Sequence, residues 1–219
     1  MATIKKSKSP DILSTYMESV LEHEKFPLSV YKFCKNNEIE EKYFYKTYSS
    51  LDSVKHHVWQ VFFENTIDLL HKNKNYESMT RKDRLLTFYF TFFEVLLLNR
   101  SYVLFSLNGN ENLMNAIGQL KKLRFSFKEF ATQLIEEGND SKTLSLVKHP
   151  VGLFAEASWA QLLFVLKFWL EDTSSNFEKT DAAIEKSITV AFDVFDNTQI
   201  DSLFDFGKFL WKEKFIKAN

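Results

Sequence analysis

The side chains that most often carry out catalysis or bind metals are sparse in this sequence. It contains five histidines and a single cysteine, Cys34. His56 and His57 are neighbours, and adjacent residues on a helix point about 100° apart, so the two cannot form the i,i+4 pair that ligates a metal. The sequence has no Cys-x-x-Cys pair, glycine-rich phosphate loop or nucleophile elbow. We therefore expect no enzyme activity, no metal site and no bound cofactor.

Two carboxylates differ from the other acids because their neighbours in the chain are apolar. Glu94 lies among phenylalanine and aliphatic residues on a segment that is expected to be a central helix, and Glu156 lies between Phe154 and Trp159. A buried acid must be paired, hydrogen-bonded or protonated. Each of the two is therefore expected either to hold the polar head of a ligand or to pair with a structural lysine or arginine.

Composition indicates an all-α protein with an aromatic core. Only five glycines and three prolines occur in 219 residues, which favours long helices with short connections. Phenylalanine occurs 23 times. A core of so many rings is large and irregular, and it either encloses a cavity or is solid throughout.

Charge and targeting signals limit the cellular setting. The net charge is −1, so the whole molecule has no bulk attraction to nucleic acid or acidic membranes, and DNA binding would require a local basic patch. The single cysteine excludes an intramolecular disulfide and fits a reducing cytoplasm. No signal peptide is visible, and the most apolar run, 85–98, is too short and too polar for a membrane span. We expect a cytoplasmic protein.

Helix start and stop signals predict a small head joined to a larger body. Ser9 and Pro10 predict the cap and first turn of a helix that Pro27 ends, and Ser29 predicts the cap of a short second helix. A turn at 36–37 and a third short helix over 40–46 follow. The predicted domains are the head, 1–48, and a helical body, 49–219, with a long helix over 49–71 that connects the two.

The rest of the body is expected to be helical as well. The polar stretch 71–82 predicts a loop, and the run after it predicts a central helix that is apolar nearly all round. The predicted helices of this region cover 83–107, 111–122, 126–137, 150–172, 178–195 and 199–216. The sequence thus predicts nine to ten helices in all.

The segment from Phe26 to Val58 resembles the DNA-binding head of the TetR family of repressors. Ser29-Val30 matches the start of the short second helix of that family, and the run Phe44-Tyr45-Lys46-Thr47-Tyr48 fits the aromatic pattern that ends its recognition helix. The stretch 177–187 also looks like the C-terminal region of a Bacteroidetes-type branch of the family. The resemblance implies a TetR-like fold and a ligand-responsive transcriptional regulator.

For DNA binding, the resemblance implies a set of cations and hydrogen-bond donors around the recognition helix. The candidates are Lys5, Lys6 and Lys8 of an N-terminal arm, with Ser29, Lys32, Lys42, Tyr43, Tyr45, Lys46 and Thr47. The sequence departs from the family at Glu38, where a turn glycine is usual, and at Glu40 and Glu41, which repel phosphate. Asn37 is expected to adopt the left-handed backbone geometry in place of that glycine.

The resemblance also implies a ligand cavity and a homodimer. The ligand would be apolar, such as an acyl chain or an isoprenoid, and the cavity candidates are Phe88, Phe92, Phe93, Glu94, Phe105, Phe127, Phe130 and Phe164. The last long helices would form a four-helix bundle with a second copy. The interface candidates are Trp159, Leu163, Leu166, Trp169, Ile184, Ile188 and Phe192.

An alternative is open at this point. The acids around the recognition helix favour a TetR-fold protein that binds a lipid, another hydrophobic ligand or a partner and has lost DNA binding, as the TetR-like lipid-binding accessory protein of ubiquinone biosynthesis has. The aromatic pattern and the arm lysines favour the regulator.

Overall fold

The computed structural model describes residues 11–108, 113–140 and 150–197, and these residues form helices without any strand. The ten α-helices are α1 (Ile12–His23), α2 (Val30–Asn36), α3 (Glu41–Thr47), α4 (Leu51–Lys72), α5 (Arg81–Leu97), α6 (Arg100–Asn108), α7 (Leu113–Gly118), α8 (Lys121–Asp140), α9 (Val151–Glu171) and α10 (Glu178–Asn197). The predicted all-α fold is confirmed. The predicted helix over 199–216 lies outside the described residues.

The chain divides into two compact units. Unit 1 comprises Met1–Leu69 and Thr91–Ser126, and unit 2 comprises Leu70–Phe90 and Phe127–Asn219. The boundaries between the units fall within α4, α5 and α8. Unit 1 therefore holds α1 to α3, and unit 2 holds α9 and α10.

The first helix begins later than the sequence predicts. Its cap is Asp11 rather than Ser9, because the Asp11 carboxylate accepts hydrogen bonds from the backbone N–H of Leu13 at 3.1 Å and from the Ser14 hydroxyl at 2.7 Å. The helix ends at Glu24, which has the left-handed backbone conformation, with φ of 48°. Pro27 thus follows the helix end rather than causing it.

The predicted central helix over 83–107 is two helices. At the break, the Asn99 side chain donates to the Val95 carbonyl at 2.9 Å, and the Asn99 backbone N–H bonds to Leu96 rather than to Val95. The backbone thereby leaves the α-helical hydrogen-bond pattern, and α5 and α6 are bent by 90°. Asn99 is therefore the residue that ends α5. The sequence did not indicate this break, because the apolar residues on both sides of Asn99 follow helical periodicity.

Helix α4 begins with a reciprocal cap. The Ser50 hydroxyl accepts a hydrogen bond from the Ser53 backbone N–H at 3.1 Å, and the Ser53 hydroxyl accepts one from the Ser50 backbone N–H at 3.2 Å. Two of the amides that a helix start leaves unpaired are thereby bonded. Helix α4 therefore starts within two residues of the position predicted from the sequence.

The turn between α9 and α10 is organised by one buried carboxylate. Asp172 accepts four hydrogen bonds, from the backbone N–H and hydroxyl groups of Ser174 and Thr180, over 2.6 to 2.9 Å. Burial alone would raise the pKa of Asp172, but these bonds outweigh it and hold that pKa well below its ordinary value. The ionised carboxylate thus fixes the start of α10 against the end of α9.

Candidate nucleic-acid interface and ligand cavity

Helix α3 has one buried side and one exposed side. Phe44 is fully buried and Tyr43 is half-buried. The exposed side chains that the sequence predicted for DNA contacts are those of Lys42, Tyr45, Lys46 and Thr47. Ammonium and hydroxyl groups of this kind donate hydrogen bonds to phosphates and base edges. The exposed side of α3 therefore has the chemistry of a recognition surface.

A row of rings holds α3 in place. The Tyr16 ring of α1 contacts Phe33 of α2 edge-on, with centroids 5.9 Å apart, and Phe33 contacts Phe44 at 6.0 Å. Phe44 in turn lies 5.9 Å from Tyr48, which follows α3. The aromatic pattern at 44–48 thus serves packing through Phe44 and Tyr48, while the residues between them are exposed.

Two further DNA candidates lie on the first turn of α2. The Ser29 hydroxyl accepts a hydrogen bond from the Lys32 backbone N–H at 3.3 Å, so Ser29 caps α2 as predicted. The Lys32 side chain is exposed. The arm lysines Lys5, Lys6 and Lys8 lie outside the described residues.

The turn between α2 and α3 differs from the expectation. Asn37 has φ of −108°, and Glu38 adopts the left-handed conformation instead, with φ of 55°. The Asn37 backbone and side chain both donate to the Phe33 carbonyl, which keeps Asn37 at the end of α2. The reversal therefore falls on the next residue, where the family usually has glycine.

The acids at this turn are turned outward. Glu38, Glu40 and Glu41 are all exposed, and Glu40 occupies the cap position of α3 without a side-chain cap bond. Negative charge at a helix start is favourable for the helix. The same charge at the entry of a recognition helix opposes the approach of phosphate, as the sequence predicted.

The end of α3 is attached to α4 by a side-chain hydrogen bond. The Tyr48 hydroxyl lies 2.7 Å from Nδ1 of His57. Burial and then the nearby charge of Asp11 raise the pKa of Tyr48, and burial and then Lys122 lower the pKa of His57. Both groups are therefore neutral at physiological pH, and the bond joins the end of α3 to α4.

Most of the phenylalanines predicted to line a cavity contact other aromatic rings. In unit 2, the Phe88 ring lies 5.4 Å from that of Phe127 and 4.7 Å from that of Phe130, and Phe127 lies 6.3 Å from Trp159. In unit 1, the buried rings of Phe92 and Phe93 contact each other at 5.8 Å.

The other cavity candidates are near or at the surface. Phe105 contacts Phe26 edge-on at 5.3 Å, and Phe164 is 59% exposed. The expectation that Glu94 is buried is wrong, since its side chain is exposed. Glu94 lies on the outer face of α5, and its apolar sequence neighbours point to the other faces of that helix.

A cavity does occur in unit 2, at a different place. It has a volume of about 290 Å³, and its walls come from α5, α8, α9 and α10. The lining residues are Arg81, Leu85, Ala131, Leu134, Ile135, Phe154, Ala157, Ser158, Gln161, Ser187, Val190, Ala191, Phe192 and Val194. None of the eight ligand-binding residues predicted from the sequence is among them. Three of the lining residues are alanines, whose small side chains were the only feature of the sequence that could have indicated a cavity here.

The polar groups in the cavity wall are largely used by the protein. Gln161 Nε2 donates to the Ser187 hydroxyl at 3.1 Å, and the Ser187 and Ser158 hydroxyls donate to backbone carbonyls. The Arg81 guanidinium lies 5.8 Å from the Phe192 ring centroid. The remaining wall is aliphatic and aromatic, which suits an apolar occupant.

Most residues predicted for a dimer interface are buried within their own chain. Trp159, Leu166, Trp169, Ile184 and Ile188 are at most 6% exposed, while Leu163 and Phe192 are half-buried. Helix α9 nevertheless has an exposed apolar face next to them. It is formed by Leu153, Ala157, Ala160 and Phe164, which follow one another at helical spacing.

Several of the remaining acidic and basic side chains of the described residues form ion pairs rather than a metal site. No group of three or more His, Cys, Asp or Glu residues there is arranged to hold a metal ion. Glu156 forms an ion pair with Lys128, which is the structural one of its two expected roles. A similar pair joins Arg84 to Glu137.

A known family accounts for this arrangement of helices. The family described as "Tetracyclin repressor-like, C-terminal domain" matches residues 84–210, which is more than half of the chain. The chain belongs to the TetR family. No curated protein matches the chain.

Solved structures share the TetR fold. A protein described as a TetR-family transcriptional regulator from Syntrophomonas wolfei matches with a TM-score of 0.61 and 16% identity, over 84% of this chain and 92% of that one. The fatty acid degradation regulator FadR from Bacillus halodurans matches with a TM-score of 0.60 and 14% identity, over 86% and 96% of the respective chains. Family and neighbours are regulators rather than enzymes.

Among the described residues of this TetR-family chain, one helix has the length and apolar character of a membrane span. It is α9, and only 28% of its most apolar window is buried. Helices α5 and α6 reach the same criterion only together, across their 90° bend. The apolar character of α9 therefore exceeds what the described part of the chain covers.

Proposed function

We propose that this TetR-family protein is a ligand-responsive transcriptional regulator that binds DNA as a homodimer. The observation that carries the proposal is the exposed side of α3, where Lys42, Tyr45, Lys46 and Thr47 face solvent above a buried Phe44. A short helix fixed by rings on one side and lined with donors on the other is what insertion into a major groove requires.

The exposed apolar face of α9 supports the homodimer. Leu153 and Phe164 are more than half exposed although the helix is apolar enough for a membrane span. A second copy of the chain would cover this face in a bundle of paired helices, as TetR-family subunits typically do. The interface then lies beside the core residues Trp159 and Leu166, which keep their place inside each subunit.

The cavity in unit 2 supports an apolar ligand of limited size. An apolar cavity of about 150 Å³ in another protein accepts benzene, and the present one is about 290 Å³. A compact molecule of about ten non-hydrogen atoms therefore fits within the described walls, for example a two-ring aromatic or a medium acyl chain. The ligand would act by favouring a conformation with lower operator affinity.

One observation favours a second candidate function. The exposed carboxylates of Glu38, Glu40 and Glu41 surround the entry of α3. A TetR-fold protein that binds its hydrophobic ligand or a partner without binding DNA would tolerate such charges. This candidate keeps the cavity and the dimer and removes only the DNA.

DNA binding distinguishes the two candidates. The measurement is the affinity of the purified protein for duplex DNA from upstream of its own gene, compared with random duplex, over about 50 to 200 mM salt. The regulator should prefer the upstream DNA at moderate salt. Equal affinities there would reject the regulator and leave the second candidate. Native mass spectrometry for a co-purified apolar molecule tests the cavity independently.

A further inference from the structure

The head of unit 1 carries little net positive charge. Residues 1–48 contain eight lysines and seven acids, so the net charge of the head is only +1. Most of the free energy of DNA binding usually comes from cations that neutralise phosphates. If α3 lies in a major groove, positive charge from another part of the molecule would therefore add to the weak phosphate attraction of the head.

A second group of cations lies in the same compact unit. Lys121 and Lys122 form the exposed first turn of α8. Buried hydrogen bonds fix this turn, because Trp59 Nε1 of α4 donates to Gln119 Oε1 at 3.3 Å and Gln119 Nε2 donates to the Ser106 carbonyl at 2.7 Å. The two lysines follow Gln119 after one buried residue, Leu120, so they are held close to α4.

The electrostatics place the same lysines next to the amino-terminal turns of α4. His56 lies one helical turn before Trp59, and its pKa is lowered by burial first and then, against an opposing effect of Asp52, by the charges of Lys55, Lys121 and Lys122. Lys122 also lowers the pKa of His57. Two independent features, the hydrogen bonds and the charges, therefore agree on where the lysines lie.

This position adjoins the end of the recognition helix. The Tyr48 hydroxyl after α3 is bonded to His57, and His57 is influenced by Lys122. Helix α4 rises about 1.5 Å per residue, so His56 lies only about 8 Å along α4 from Leu51. The head and the lysine pair thus belong to one compact unit and are connected through α4.

The third lysine of this region has a structural role. Lys55 Nζ lies 3.4 Å from an Asp52 carboxylate oxygen and 4.3 Å from the Phe26 ring centroid. Its charge is therefore balanced locally. Lys121 and Lys122, by contrast, are both exposed on the first turn of α8 and are available to an outside partner.

We propose that Lys121 and Lys122 bind the phosphate backbone of the same DNA duplex that α3 enters. This inference rests on the proposed DNA binding and adds to it a contact surface on α8, outside the helix-turn-helix head. It gives a physical reason why acids are tolerated at 38, 40 and 41. The lysine pair adds phosphate attraction to that of the head, and α3 supplies the base contacts.

The test compares two double variants of the full-length protein. Lys121→Ala with Lys122→Ala removes the pair, and Lys179→Ala with Lys186→Ala removes two exposed lysines from α10 as the matched control. Anisotropy with a fluorescein-labelled random duplex gives the dissociation constant from about 50 to 200 mM salt. Each lost phosphate contact should lower the slope of log affinity against log salt by about 0.9, or about 3.6 for four contacts in a dimer.

The inference predicts that the α8 variant binds at least about tenfold more weakly at 100 mM salt. The α10 variant should bind like the unmodified protein. The conservative variant Lys121→Arg with Lys122→Arg should retain binding. Equal slopes for the α8 and α10 variants would overturn it. Lys42→Ala with Lys46→Ala on α3 separates the two claims. If that variant loses DNA binding while the α8 variant binds like the unmodified protein, the proposed role of Lys121 and Lys122 is rejected and the role of α3 stands. Absence of DNA binding by the unmodified protein rejects both.

Discussion

The head formed by α1 to α3 and the region formed by α9 and α10 differ in how directly their sequence determines their surface. In the head, residues close in sequence decide which side is exposed, because Ser29 caps α2 and Phe33 and Phe44 pack within about a dozen residues. In the second region, two long helices each have apolar residues on several faces. The faces that meet within one chain decide which residues are left for a partner or a ligand.

This difference shows that a recognition surface can be determined by residues close together in sequence, whereas a cavity is determined by residues far apart in sequence. The exposed side of α3 follows from one short motif. The cavity lies among four helices, and three of them contribute small lining residues, Ala131, Ala157 and Ala191, which leave space when the helices pack. One local substitution can therefore disrupt the exposed side of α3, whereas the cavity is changed only by a substitution of a residue that lines it.

The largest effect is expected at the core of the head. Phe44→Ala should lower the free energy of unfolding by about 3 to 5 kcal/mol, because it removes a fully buried ring from the row that holds α3. Tyr45→Ala, its exposed neighbour, should cost less than about 1 kcal/mol. Urea denaturation measures both. Similar losses for the two variants would mean that α3 is not oriented as described.

The next largest effect is expected on the exposed face of α9. Phe164→Glu should raise the dimer dissociation constant by about 100-fold or more, because a charge would be buried between two copies. Gln133→Glu, at an exposed position of α8, adds the same single negative charge away from α9 and serves as the control. Sedimentation velocity gives the association state. A dimer that persists in Phe164→Glu would place the interface elsewhere.

A smaller effect is expected at the cavity. Ala131→Leu adds three carbons to the wall and should weaken binding of the neutral fluorophore 1-aminonaphthalene about tenfold by occupying its space. Gln133→Leu introduces the same residue at an exposed position of the same helix, and it should leave the affinity for the fluorophore unchanged. A fluorescence titration compares them. Unchanged affinity in Ala131→Leu would exclude this cavity as the binding site.

The turn between α9 and α10 should show a pH-dependent effect. Asp172→Asn should lower the melting temperature at pH 7 by about 3 °C, because the four hydrogen bonds to the carboxylate lose its charge. The folded-state pKa lies below the unfolded value, so the carboxylate stabilises the fold above about pH 4 and this stabilisation is lost as the pH falls further.

The difference in melting temperature between Asp172→Asn and the unmodified protein should therefore shrink below about pH 4. Asp193→Asn, at an exposed position of α10, is the control and should change little at any pH. A difference that stays constant from pH 7 to pH 3 would contradict the role given to the Asp172 charge.

The smallest effect is expected at the turn before α3. Glu38→Gly should stabilise the protein by about 1 kcal/mol or less, because glycine adopts the left-handed conformation without the steric cost that Glu38 bears. Glu24→Gly offers a comparison, since Glu24 has similar backbone angles at the end of α1. Destabilisation of both variants in thermal unfolding would show that the two side chains contribute contacts of their own.

The sequence predicted the fold and the exposed side of α3 well, and the reasons are local. Caps, proline and glycine scarcity and the aromatic spacing at 44–48 each act over a few residues. The left-handed residue was placed one position early, at Asn37, because the side-chain bond that keeps Asn37 in the helix end cannot be read from residue preference alone.

The sequence did not indicate the cavity in unit 2 or the exposed face of α9, because both depend on tertiary packing. Trp159 and Trp169 are large and apolar, which fits an interface and a core equally well, and only tertiary packing places them inside the chain. Likewise Phe88 and Phe127 were expected to line a cavity, and their rings lie 5.4 Å apart. Ring abundance alone does not distinguish a lined cavity from a solid core.

The central claim is that the exposed side of α3 faces DNA, and charge reversal at its entry tests that claim most directly. The test uses two double variants. The α3 variant carries Glu40→Lys and Glu41→Lys. The α1 variant carries Glu18→Lys and Glu22→Lys, which make the same change in net charge at exposed positions of α1. The measurement is affinity for random duplex at about 100 mM salt. We predict that the α3 variant gains about tenfold or more in affinity and clearly more than the α1 variant. Equal gains, or no gain in either variant, would contradict the claim that α3 is presented to DNA.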